Sequence, residues 1–173
     1  MKPDRWSVWW QGLMAGLIGY ATIAIAFAIV NLLGGRSPFY TAALLGGALF
    51  YGVRDLHVVE VWPGAVLAYN GLHLVVFLVL GVFASWLAKL AEKGPHLWYV
   101  GVIFFMFVAF HLLGAVFMLA EPLRAALPAW LMVTAGFAAS AAMAGYLVWT
   151  HPGVRAEMTD FAAQDADLID LPR

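Results

Sequence analysis

Two histidines stand inside apolar runs that carry no formal charge, His73 in LAYNGLHLVVF and His111 in VAFHLLGA. An imidazole or carboxamide in hydrocarbon costs free energy unless another helix or a bound group satisfies it. Tyr69 and Asn70 precede His73 by four and three residues, which on a helix places them on broadly the same face. Around the next breaker, Gly94-Pro95, His73 lies 21 residues back and His111 17 residues forward. Paired antiparallel helices would set the two rings within about four residues of one depth, roughly 6 Å along the axis. His57 and Glu60 lie ahead of the His73 run, in the densest charged stretch before the C-terminal tail.

These residue types support four readings. Two imidazoles facing across neighbouring helices are the ligand pattern of a b-type haem, with Phe77, Phe107 and Phe110 available to line it. His57, Glu60, His73 and His111 together form a nitrogen and oxygen donor set for a transition metal. Tyr69, Asn70 and His73 are also groups that hydrogen-bond a quinone headgroup or relay protons. The fourth reading is structural: each imidazole bonds across helices and holds the bundle together. Spacing alone leaves the four open.

The elements that must position these side chains are membrane spans. Of 173 residues 64% are hydrophobic and 11% charged, against about 25% charged in a soluble domain. With so little polar surface, the solvent for this chain is a bilayer. The run 63–88 holds about 25 uncharged residues, roughly 37 Å of helix at about 1.5 Å per residue. Further spans are predicted at 9–33, 97–120 and 129–150, with tryptophans and tyrosines at several ends, where headgroups favour amphipathic rings. The first run exceeds the roughly 7–15 apolar residues of a signal peptide and is taken as a retained helix. Gly12 and Gly16 within it have the spacing of a close helix contact. The fourth run, rich in alanine and glycine, reads as a tightly packed bundle helix.

The stretch 38–53 is short for a simple span. Ser37 is a plausible N-cap for it, with Pro38 at the first helical position. Charge decides its place. If it does not cross, Lys2, Arg5, Lys89, Lys93 and Arg155 share one side and Arg36, Arg54 and Arg124 the other; if it does cross, the split is four to four. The positive-inside rule favours the first arrangement, with both termini cytoplasmic. The expected fold is thus an all-α integral membrane protein: an antiparallel four-helix transmembrane bundle with an additional short interfacial, re-entrant or spanning helix. Residues 1–151 form one transmembrane domain and 152–173 an acidic cytoplasmic tail.

The sequence also excludes. It has no cysteine, so disulfides, thiolate metal sites, iron–sulfur clusters and covalently attached haem are out. It holds no HExxH, GxSxG or nucleotide-binding loop. A net charge of −1 without a basic stripe gives no sign of a nucleic-acid partner. The character that remains is that of an accessory or assembly subunit of a larger complex in an inner or plasma membrane. Lipid, other membrane subunits or further copies of the chain are its expected partners. A haem or metal-binding redox subunit using His73 and His111 is the alternative, with quinone or proton handling and small-solute transport behind it.

Overall fold

The computed structural model describes residues 5–53, 60–92, 127, 129–153 and 155–156. The expected span 97–120 with His111, and also His57 and most of the acidic tail, lie outside the described residues. Four helices carry the described part: α1 (Arg5–Leu33), α2 (Tyr40–Tyr51), α3 (Pro63–Ala91) and α4 (Ala129–Thr150). Among the described residues there is no strand.

Three of the helices contain stretches long and apolar enough to cross a membrane: Ser7–Leu33, Pro63–Ala91 and Trp130–Thr150, the shortest of 21 residues. At about 1.5 Å per residue that shortest one still matches a hydrocarbon core about 30 Å thick. Large side chains face outward, Leu67 at 71% exposure and Phe137 at 77%, while small ones such as Ala15 and Ala65 are fully buried. Such a surface is costly in water and suited to lipid. The protein is an integral membrane helical bundle with an extra short apolar helix.

The helix boundaries follow from local chemistry. Past Leu33, Gly35 takes a left-handed φ of 70° and the Arg36 N–H donates to the Asn31 carbonyl at 2.8 Å. Gly52 closes α2 in the same way, with φ 67° and the Val53 N–H donating to Gly47 at 3.1 Å. Both are glycine-based helix stops that satisfy orphan carbonyls. Trp62 is extended and Pro63 opens α3, where a missing N–H costs nothing. The start of α2 differs from expectation. The Ser37 hydroxyl accepts from the Phe39 N–H at 3.3 Å, but the regular helix begins only at Tyr40, after a turn closed by Tyr40 N–H to the Ser37 carbonyl.

Helices α1 and α3 run antiparallel along their whole length. Lys89 donates to Ser7 Oγ at 3.1 Å near one end. Further along, Gly12 meets the Val82 backbone, Gly16 the Leu78 backbone, and Tyr20 reaches Asn70. Two antiparallel spans are separated by an even number of crossings. The single helix between them, α2, therefore does not cross the membrane.

Its contacts fit that conclusion. Asn31 and Thr41 exchange two hydrogen bonds of 3.0 and 3.1 Å. Gly46 lies against the Ala65 backbone, and Tyr51 stacks edge-on against Trp62 at 4.4 Å. The start, middle and end of α2 thus all sit level with the mouths of α1 and α3.

The far end of α3 adjoins the far end of α4, where a Cβ added to Gly153 would come within 3.2 Å of Glu92 Cγ. Two spans that end on one side are separated by an odd number of crossings, which is the arrangement of a four-span bundle. α4 packs on α1, with Met143 Sδ filling space beside Gly19, and its buried side chains are Leu131, Ala135, Ala139, Met143 and Leu147, at four-residue intervals.

Candidate functional site

The α1–α3 seam has two halves of different character. In the half nearer Ser7 and Lys89, backbones touch. A Cβ on Gly81 would come within 2.7 Å of the Gly16 Cα, and one on Gly16 within 2.8 Å of the Leu78 Cα. Ser85 extends this face one turn further and is fully buried. Contacts this close need residues without bulk, the recurring solution for helices in lipid.

The other half begins at Gly19, where a Cβ would strike the Phe77 ring. From there the helices are held apart by side chains. His73 sits on α3 ten residues from Pro63, about 15 Å along the helix, on the α2 side of the span's middle. Its ring centroid is 5.0 Å from Phe77, 5.2 Å from Tyr69 and 6.1 Å from Tyr20, all at tilted angles. Tyr69, His73 and Phe77 succeed one another at four-residue spacing and form one ridge on α3. Tyr20 closes over that ridge from α1.

One polar link crosses this half. The Tyr20 hydroxyl donates to Asn70 Oδ1 at 3.1 Å, and Asn70 Nδ2 donates to the Val66 carbonyl at 2.9 Å. Asn70 is thus engaged at both ends of its carboxamide. His73 is not. Its Nε2 is sealed from solvent and has no hydrogen-bond partner among the described residues. Ser85 Oγ is the other buried side-chain atom in that condition among the described residues. By contrast, the hydroxyls of Thr22, Thr134 and Thr150 all return to the carbonyl four residues back, at 2.8 to 3.0 Å.

The residues expected at the site divide as follows. Tyr69, Asn70 and His73 come together. His111 and His57 lie outside the described residues, so the facing pair of imidazoles is not described. Glu60 is exposed, ahead of α3. Among the described residues there is no group of three or more His, Asp or Glu side chains that could hold a metal ion.

The sequence reading passed over Tyr20, the residue that completes the cluster. A signal for it existed: it lies four residues after Gly16, on the glycine face of α1. His151 is 3% exposed, with Nδ1 placed to donate to the Leu147 carbonyl at 2.9 Å. It closes the C-terminal turn of α4. The alanines and glycines of α4 are only partly used in packing. Ala135 and Ala139 are buried, but Ala138, Ala141 and Gly145 are exposed. Gly136 and Gly145 face open space among the described residues.

No protein-family model, no curated protein and no solved structure matches this chain.

Proposed function

We propose that the chain is an accessory or assembly subunit of a larger membrane complex, acting through helix contacts rather than through chemistry of its own. The observation that carries this reading is the small face of α4, which is exposed and meets no other helix among the described residues. Glycine inside a helix destabilises it by about 1 kcal/mol relative to alanine. In membranes that loss is offset where a second backbone comes close. In the α1–α3 seam Gly12, Gly16 and Gly81 all meet backbone. On α4 the exposed Thr134, Ala138, Ala141 and Gly145 recur at intervals of four, three and four residues and present the same kind of surface outward. A transmembrane helix of another subunit, or of a second copy, is the occupant such a surface fits.

The distribution of charge supports an orientation. α1 begins, and α3 and α4 end, on one side, where Arg5, Lys89 and Arg155 lie, while Arg36 lies on the other. We infer that the first side is cytoplasmic in an inner or plasma membrane, by the positive-inside rule.

Because the chain has no cysteine, single substitutions test the reading without background. Ala141→Cys and Gly145→Cys in native membranes are expected to cross-link to a neighbouring subunit. Leu67→Cys, on the lipid-facing surface of α3, is expected not to. Equal cross-linking from all three positions, or none from α4, removes the reading. The mass of the adduct separates a second copy from a different subunit.

A further inference from the structure

We propose that His73 Nε2 is a hydrogen-bonding group for a neutral, planar, lipid-soluble ligand bearing a carbonyl oxygen, the chemical class of quinone headgroups. This proposal goes beyond the subunit role and does not depend on it. An imidazole nitrogen sealed in a membrane interior has no water to turn to, so an unpaired one is an anomaly that a ligand resolves, and a carbonyl oxygen is the partner that suits the Nε2–H tautomer. No described neighbour resolves it: Asn70, the nearest polar side chain in sequence, is held by Tyr20 and by the Val66 carbonyl.

The surroundings select the ligand. Tyr20, Tyr69 and Phe77 place aromatic rings on three sides of the imidazole at 5.0 to 6.1 Å, surfaces on which a planar ring stacks. There is no charged residue between Pro63 and Ala88, so a charged headgroup would find no counter-charge on this span, whereas a neutral carbonyl needs none. The seam also closes one turn away, where Gly16 lies on the Leu78 backbone.

The way in lies along Phe77. Its ring backs onto the notch at Gly19 beside Met143 Sδ, a flexible neighbour that yields more readily than a branched one. A ligand entering the seam here would have to displace Phe77, whose ring packs against His73 at 5.0 Å. No redox step is implied; the inference concerns binding.

The test uses the full chain purified into lipid nanodiscs and a photoreactive azido-quinone with a short tail as probe, competed by unlabelled short-chain quinone. The expected result is saturable labelling of peptides from α1 or α3. His73→Phe should weaken the apparent affinity about tenfold or more, the loss of one good hydrogen bond. His73→Gln, which restores an N–H donor, should recover part of it. Thermal unfolding of each variant checks that the bundle is intact. Labelling that unlabelled quinone does not compete, or equal affinity in wild type and His73→Phe, overturns the proposal. So does a Soret absorbance band that disappears in His73→Phe, because it would assign Nε2 to haem iron.

Discussion

Two halves of one seam, built from the same pair of helices, solve the problem of association in lipid in opposite ways. Near Ser7 and Lys89 the solution is absence of bulk: Gly12, Gly16 and Gly81 let backbones meet, and Ser85 adds the smallest polar side chain. Toward α2 it is size and polarity: Tyr20, Asn70, His73 and Phe77 fill a wider gap and tie it with a hydrogen bond. Lipid offers no hydrophobic drive for association, so a dry seam holds by packing and interhelical hydrogen bonds. Each half leaves one buried side-chain atom unpaired, the Ser85 hydroxyl in the glycine half and the His73 Nε2 in the aromatic half. The first half is a joint of backbones, and the second is a joint of side chains, where the proposed ligand would bind.

The largest expected effect comes from breaking the joint. In Gly81→Leu the new side chain would be directed into the Gly12–Gly16 backbone, which cannot move aside as a side chain can. Overpacking costs typically 1–3 kcal/mol, and a backbone obstacle places this change at about 3 kcal/mol or beyond. Unfolding in detergent, followed by helicity, is expected to show a bundle that has lost α1–α3 association. A variant with wild-type stability would mean that the seam is not where the helices are held.

The same measurement ranks Tyr20→Phe next. It keeps the ring against His73 and removes only the hydrogen bond to Asn70. Interhelical hydrogen bonds in membrane proteins average about 0.6 kcal/mol and reach about 1.7 kcal/mol. A loss of about 1 kcal/mol is expected, because the Asn70 carbonyl oxygen would then be left short of a donor. Asn70→Leu combined with Tyr20→Phe should be less than additive, since both remove one bond.

Part of this comparison was legible in the sequence. Gly12 and Gly16 announced a contact face, and Tyr69, Asn70 and His73 announced a polar ridge, because spacing along a helix fixes which residues share a face. Charge placement and breakers likewise set the short helix 38–53 apart, and the antiparallel run of α1 and α3 shows that it does not cross. The identity of the partners was not legible. In water a buried face is apolar and an exposed one polar, but in lipid both are apolar, so the pattern along α1 or α4 does not say which side meets a helix. That is why Tyr20 was passed over, and why the alanine-rich α4 read as packed although Ala138, Ala141 and Gly145 face outward. The burial of His151, just past the end of α4, carries no local signal either.

The two unpaired atoms sharpen the contrast further, and with opposite sign from the variants above. Replacing a buried unsatisfied polar group by an apolar one of similar shape removes a desolvation penalty of about 1–3 kcal/mol, less whatever packing is lost. In ligand-free protein, His73→Phe is therefore expected to stabilise the bundle by about 1 kcal/mol, as the new ring takes its place among Tyr20, Tyr69 and Phe77.

Ser85→Ala should be smaller, about 0.5 kcal/mol in the same direction, because alanine keeps the close contact and a hydroxyl can rotate toward a helix carbonyl in a way an imidazole cannot. The diagnostic step is to repeat both in the presence of excess short-chain quinone. Ligand binding to the folded state raises wild-type stability by mass action, so the advantage of His73→Phe should shrink or reverse while that of Ser85→Ala stays fixed. If the two respond alike, the unpaired atoms in the two halves are equivalent packing compromises, and the distinction between a plain joint and one that receives a ligand is lost.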